Sequence, residues 1–405
     1  MKILIAPLNW GLGHASRCIP LIRQYLADGH EVVLGGDGAS LTLLRQHFPD
    51  LRYVNLAPLD LHYSSSKRQV WAMIGAFPRL IRFIIADHLR LKALLSVESF
   101  DLIISDNRFG LYPPKISLLH TPSAQRSILH TPNSFIYITH QLHIHLPYPY
   151  RWLESFVSRL HAAFYRRFDE VWIPDYADYA TSLAGDLSHP QIGKVQRVLK
   201  VPKVTKVERV PRVTKVKPQI IKYLSPLSRF SSLHTPYPIP HTPYSFSEAV
   251  YTPSANEVSD PTTNLALLSG LEPQRSLFEQ ELIERFQQSG ESLLIVRGLV
   301  NEPATKVTMG NITMVNHLDD EALTKALMNA KAIIARSGYS TIMDLHVLGV
   351  LDKAELHPTP GQPEQEYLVH WLRRVFGVTN SHYSSGVPAV TCCCGESGGT
   401  SVNLY

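Results

Sequence analysis

Asn9-Trp10-Gly11-Leu12-Gly13-His14-Ala15-Ser16-Arg17 follows the apolar run Lys2 to Pro7, and Arg336-Ser337-Gly338-Tyr339-Ser340-Thr341 follows Ala332 to Ala335. Each reads as a buried strand, a tight turn and the opening of a helix. Such a turn aims backbone N–H groups, and the positive end of the helix dipole, at an anion. Two such units, far apart in the chain, predict two nucleotide-type α/β domains facing a shared cleft.

The text around the first loop continues the pattern. Ser16 to Ala27 places Ile19, Ile22 and Leu26 on one helical face and stops at Gly29. Strands are expected at Glu31 to Gly35, Arg52 to Ala57, Leu102 to Ser105, Phe135 to His140 and Val171 to Pro174. Around the second loop, strands are expected at Leu265 to Leu268, Leu293 to Val296, Ile312 to Val315 and Ala332 to Ala335. Helices are expected at Gln274 to Gln288, at Asp319 to Ala330 and after Ser340. The apolar, non-alternating strands are those of parallel sheets covered on both faces. The expected boundaries are an N-terminal domain over 1–190, with an irregular insertion at 113–134, and a C-terminal domain over 263–376.

Between them, residues 201–218 are a nine-residue tandem repeat carrying six basic residues and only Glu208 acidic. Leu-His-Thr-Pro recurs at 119–122, 129–132 and 233–236, and proline is dense over 190–262. Two copies of a short unit make no solenoid, and 191–262 reads as a disordered linker. The tail, 377–405, with Cys392, Cys393 and Cys394, follows neither series; its spacing suggests no disulfide framework.

The 405 residues carry a net charge of +5, with 44% hydrophobic and 18% charged residues. That mild basicity suits an anionic substrate or membrane surface and implies no nucleic-acid partner. The start lacks the apolar core of a signal peptide, and no apolar run reaches bilayer-spanning length. The expected location is cytoplasmic, at the inner face of the plasma membrane if the amphipathic stretches Trp71 to Leu95 and Tyr148 to Phe168 lie on lipid. Their interspersed arginines also fit core-packing helices with snorkelling side chains, the reading the sequence favours.

Gly11 and Gly13 permit close backbone approach, and His14 at the helix entry titrates in the range a general base needs. Ser337, Gly338, Ser340 and Thr341, with Arg336 beside them, are suited to a diphosphate. Asp344, one turn beyond Ser340, could accept ribose hydroxyls. Gln362 and Gln365, at the start of the helix after Pro358, suit sugar hydroxyls. His143 and His145 alternate onto one face beside His140. With no carboxylate following nearby, this trio reads as part of an acceptor cleft or surface, and no metal is expected.

Together Asn9 to Arg17, Ser269 to Arg275, Asn316 to Asp320, Arg336 to Leu345 and Pro358 to Leu368 resemble the MurG-type glycosyltransferases of GT-B fold, with a family-28 C-terminal domain. The resemblance covers roughly 1–112, 135–190 and 264–370. It implies a UDP-sugar substrate, no obligatory cofactor, and transfer to a hydroxyl of a lipid-linked or cell-envelope glycan. It implies that His14 is the base, and that Gly11, Gly13 and Asp106 line the acceptor side. Donor-side residues would be Ser269, Gly270, Arg275, Arg336, Ser337, Gly338, Ser340, Thr341, Asp344, Gln362 and Gln365. The alternatives are a nucleotide-sugar 2-epimerase of the same architecture and an inactive sugar-nucleotide binder. The inactive binder draws support from Leu351 to His357, where charges replace the apolar strand expected before Pro358.

Overall fold

A computed structural model describes residues 1–59, 69–114, 134–189, 220–231 and 262–378, with only the backbone path given for 69–77 and 220. Residues 115–133 of the expected insertion, most of the linker and all but the first residues of the tail lie outside the described residues, and Ser134 already belongs to a strand.

The first half holds β1 (Lys2–Pro7), α1 (Gly13–Ala27), β2 (Glu31–Gly36), α2 (Gly38–His47), β3 (Tyr53–Asn55), α3 (Gln69–Val97), β4 (Leu102–Asp106), β5 (Ser134–Ile138), α4 (Glu154–Tyr165), β6 (Glu170–Pro174) and β7 (Ile220–Leu224). Its seven strands form one sheet in the order β3-β2-β1-β4-β5-β6-β7, with every pairing parallel. The alternation of a strand's side chains divides the core. Ile3 and Ile5 of β1 join Ile19, Ile22, Leu41 and Leu44 of α1 and α2 on one face. Leu4 and Ala6 join Leu91 and Leu95 of α3 on the other. Strand β7 lies inside the stretch read as a linker, and it extends this sheet at the edge beside β6.

The second half holds β8 (Asn264–Leu267), α5 (Gln274–Ser289), β9 (Leu293–Val296), β10 (Lys306–Met309), β11 (Ile312–Val315), α6 (Asp320–Asn329), β12 (Ile333–Arg336), α7 (Tyr339–Val347), β13 (Ala354–His357) and α8 (Pro363–Phe376). The sheet order is β10-β11-β9-β8-β12-β13, parallel except for the β10–β11 hairpin. Phe278, Leu282 and Phe286 of α5 pack on Ala266, Leu268 and Ile334, as their spacing predicts. Helix α6 begins with Asp319, whose side chain accepts from Ala322 N–H at 2.7 Å.

The charged segment before Pro358 does form a strand, contrary to expectation. Ala354 and Leu356 of β13 face the core, and Glu355 is ion-paired with Arg285 at 2.7 Å and hydrogen-bonded to His357 at 2.8 Å. Burial alone would raise the Glu355 pKa, but the bonds to His357 and Arg285 outweigh it and hold the carboxyl down at about 2. The cost of a charge in the strand is thus met by partners from α5 and from the same strand.

A depressed carboxyl pKa contributes stability above the ordinary value of 4.5 that is lost as pH falls through about 2. Because Arg285 is partly exposed, Glu355→Gln should cost only about 1–2 kcal/mol near pH 7 in urea unfolding. The difference from the parent should shrink as pH drops below 4.5; a constant difference would show that charge pairing does not hold β13.

Candidate functional site

In an open parallel sheet, ligands bind beyond the carboxyl ends of the strands where the winding direction reverses. In the first sheet that point lies between β1 and β4, and in the second between β8 and β12. The loops leaving these four strands carry His14, Asp106, the Ser269-Gly270 turn and the Arg336-Ser337-Gly338 turn.

The loops from the two halves touch. Ser340 Oγ donates to the carbonyl of Gly13 at 2.9 Å. A Cβ on Gly13 would stand 2.7 Å from that same hydroxyl oxygen, so only glycine allows this approach without a shift. Gly11, at φ +84°, lies against Gly270, at φ +101°, with 3.7 Å between a would-be Cβ and the Gly270 Cα.

Asp106 is fully buried at the end of β4. Arg17, one turn into α1 from His14, clasps both of its oxygens. His14 Nδ1 lies 2.9 Å from Asp106 Oδ1 and 2.8 Å from Arg17 Nη2. Burial would raise the Asp106 pKa, but Arg17 and His14 overcome that and hold it at about 2. Burial and then the Arg17 charge push the His14 pKa below its ordinary 6.5, against the opposing pull of Asp106. His14 is therefore neutral at pH 7. Nδ1 thus faces both a donor, Arg17 Nη2, and an acceptor, Asp106 Oδ1, and the tautomer whose Nδ1 proton is directed at Asp106 is the one that leaves an Nε2 lone pair.

The cluster continues into the second half. Arg17 Nη1 lies 3.3 Å from His140 Nδ1, and His140 Nε2 lies 2.6 Å from Glu364 Oε1 on α8. His140 stacks on Tyr339 at 4.1 Å between centroids, and the Tyr339 hydroxyl donates to Pro174 O at 2.7 Å. Arg17, Tyr339 and Glu364 thus join the site without a role assigned from the sequence, beside His140, which the sequence offers as an acceptor-cleft or surface residue. In sequence Glu364 is one of the amides and carboxylates crowded at a helix start and suited to sugar hydroxyls, and only the fold reveals its histidine partner.

On the donor side, α7 starts at Gly338 with no side-chain cap, so its first N–H groups are open to a ligand. Ser337 is buried, its hydroxyl donating to Gln365 O at 3.1 Å. Thr341 lies in the first turn of α7, its hydroxyl 4.0 Å from where a Gly338 Cβ would be. Arg336 is buried over the Phe278 ring, 3.9 Å from its centroid. It donates to Pro358 O at 3.1 Å, and its Nε has no partner among the described residues. Burial pushes its pKa down to about 10, and no carboxylate among the described residues forms an ion pair with it.

Other predicted donor residues are already engaged. Arg275 is held by Glu272 at 2.6 Å and Glu279 at 2.7 Å, neutralised within its own helix neighbourhood. Gln365 accepts from Thr359 N–H at 2.8 Å and donates to Gln362 at 2.6 Å, fixing the turn before α8. Ser269 and Gly270 form the turn facing Gly11. Asp344 is buried, accepting from Ser228 Oγ at 2.6 Å with Arg229 Nε at 3.6 Å, so its oxygens are taken by the 226–231 segment. Burial, partly offset by Arg229 and Ser228, raises its pKa to about 6.

A raised carboxyl pKa means stability present below the ordinary 3.8 and lost as pH rises through about 6. Asp344→Asn does not titrate. Its stability relative to the parent should therefore improve between pH 4 and pH 7.5, by up to about 3 kcal/mol. Urea unfolding at both ends of that range checks this, and a pH-independent difference would place Asp344 outside the buried cluster.

No family model matches the chain. An uncharacterised glycosyltransferase of Methanosarcina acetivorans is 50% identical over 46 residues, which is 11% of this chain and 12% of that protein. The chain thus matches about an eighth of that relative's length. The crystal structure of the glycotransferase of kitacinnamycin aligns over 94% of this chain and 86% of its own at 15% identity, with a TM-score of 0.51. A putative UDP-N-acetylglucosamine 2-epimerase from Listeria monocytogenes aligns over 93% and 88% at 10% identity, with a TM-score of 0.46. At such identities the likeness is one of fold: two Rossmann-like, doubly wound sheets in the GT-B arrangement.

Proposed function

We propose that this chain is a MurG-type hexosyltransferase. It moves a hexosyl group, N-acetylglucosaminyl being the leading candidate, from a UDP-sugar to a hydroxyl of a lipid-linked or cell-envelope glycan. The observation that carries the reading is the meeting of His14, oriented by buried Asp106, with the uncapped start of α7 across the Gly13–Ser340 contact. A base on one wall and an anion-receptive helix end on the other are what glycosyl transfer from a nucleotide requires.

In this mechanism His14 Nε2 takes the proton of the acceptor hydroxyl as that oxygen attacks the anomeric carbon. The bond from that carbon to the diphosphate oxygen breaks, and UDP leaves with the electron pair. The open N–H groups of α7 and the Arg336 guanidinium stabilise the charge that develops on the diphosphate. Asp106 holds the imidazole tautomer and balances the imidazolium that forms, while Arg17 keeps Asp106 ionised.

Titration calorimetry of the full chain with UDP should show saturable binding, weakened tenfold or more by Arg336→Ala. His14→Gln should leave UDP affinity unchanged and lower acceptor-dependent UDP release about 10²–10⁴-fold. Because the His14 pKa lies below 6.5, the rate should fall on the acid side only below that pH. Interconversion of free UDP-sugars without acceptor would support the epimerase instead, and UDP binding without turnover the inactive binder. Absence of UDP binding would overturn the donor assignment.

Membrane contact is the second part of the proposal. No helix among the described residues is long and apolar enough to cross a membrane. Trp152, Phe156 and Leu160 share one face of the α4 region and are 77%, 64% and 44% exposed, beside exposed Arg151, Arg159 and Arg166. This aromatic and basic face suits an anionic interface. The exposed face of α3, with Ile85 and Leu89 between Arg82, Arg90 and Lys92, has the same character. The chain should co-float with vesicles containing phosphatidylglycerol, and Trp152→Glu with Phe156→Glu should abolish that. Failure of the parent chain to float would remove the membrane from the proposal.

A further inference from the structure

We infer that His143, His145 and Glu154 form a binding site for a divalent transition metal of the zinc class beside the cleft. This site does not depend on the sugar-transfer reading. The sequence shows no carboxylate close to the histidines. The fold supplies one by turning the chain at 147–153, so that Glu154, the first residue of α4, returns to them.

One ligand atom from each of the three residues lies within 4.8 Å of the other two. His143 Nε2 is 3.6 Å from Glu154 Oε2, and His145 Nδ1 is 3.6 Å from Glu154 Oε1. These separations are too long for N–H···O hydrogen bonds. They are close to the ~3.4 Å between two ligand atoms that each sit about 2.1 Å from a tetrahedral ion.

The surroundings orient these ligands. His143 Nδ1 lies 3.2 Å from Ser158 Oγ, and donation to that hydroxyl leaves the Nε2 lone pair facing Glu154. Ser158 Oγ also accepts from Ile144 N–H at 3.1 Å, and Glu154 Oε1 accepts from Leu146 N–H at 3.1 Å. The Leu142 and His143 N–H groups both donate to Leu187 O, at 2.7 and 3.0 Å. The loop bearing both histidines is thus held from two sides in the ligating geometry. The His145 ring packs on Tyr367 of α8 at 4.6 Å, one turn along from Glu364, the partner of His140. Three protein ligands leave one position of a tetrahedral ion open to water or to a small anionic group. A bound ion would clamp the loop bearing His143 and His145 to the start of α4.

The test uses the full chain, stripped with chelator and titrated with Zn²⁺ by calorimetry and with Co²⁺ by visible absorption. The expected result is one Zn²⁺ per chain with a Kd at or below the micromolar range, and Co²⁺ bands of tetrahedral character. His143→Ala and Glu154→Gln should each weaken Zn²⁺ binding tenfold or more. His30→Ala, a surface control, should leave it unchanged. Both site variants should keep the metal-free circular dichroism spectrum of the parent. If a variant does not fold, the stoichiometry and Co²⁺ spectrum of the parent chain still decide the matter. No binding, octahedral Co²⁺ bands, or binding indifferent to both site variants would overturn the inference.

Discussion

The arrangement depends on one buried carboxylate. Asp106 ends the central strand β4 with no exposure to water, and an unpartnered charge there would be prohibitive. Arg17 makes it tolerable by clasping both oxygens, and this fixes the angle at which α1 leaves the first glycine loop. His14 sits one turn before Arg17 on the same helix, so the ion pair that solves a burial problem also sets the imidazole. Replacing the pair with apolar residues of similar size could leave stability little changed, but it would remove the contacts that orient the His14 imidazole.

From that pair a line of polar contacts crosses to the other half through His140 and Glu364, while Ser340 and Gly13 meet backbone to side chain. Other contacts reinforce the junction away from the cleft. Arg23 reaches Asp320 at 2.9 Å, Trp371 donates to Ser182 O at 2.8 Å, and Leu183, Ala184 and Leu187 pack in the core of the second half. The junction combines apolar burial with a few paired charges. Among the described residues, the start of α7 and the Arg336 Nε keep hydrogen-bonding capacity that no partner takes up.

Strand and helix positions were largely legible where a run was apolar on both sides or had a clear 3.6-residue period. Leu293–Val296 and Ile312–Val315 fall where the sequence puts them. The reading fails where tertiary partners override local chemistry. Glu355 belongs in a strand only because Arg285 and His357 are there to meet it. Strand β7, in proline-rich and basic text, is a strand because the edge of β6 offers it hydrogen bonds. Asp344 and Arg275, which the sequence offers as donor-side residues, also have partners within the chain that residue order does not reveal: Ser228 for Asp344, Glu272 and Glu279 for Arg275.

The sequence by itself determined the two glycine-opened strand–turn–helix units, the parallel α/β class and the presence of His14 at a helix entry. Those features are local: they follow from side-chain periodicity and from the backbone freedom of a few glycines. Only the tertiary structure decided which charges face one another. It set Asp106 against Arg17, Glu364 against His140, Glu154 against His143 and His145, and left Arg336 without an ion-paired carboxylate among the described residues. Pairing of that kind depends on distances between residues far apart in the chain, and the free energy of a buried charge depends on its neighbours in space, which residue order alone does not specify.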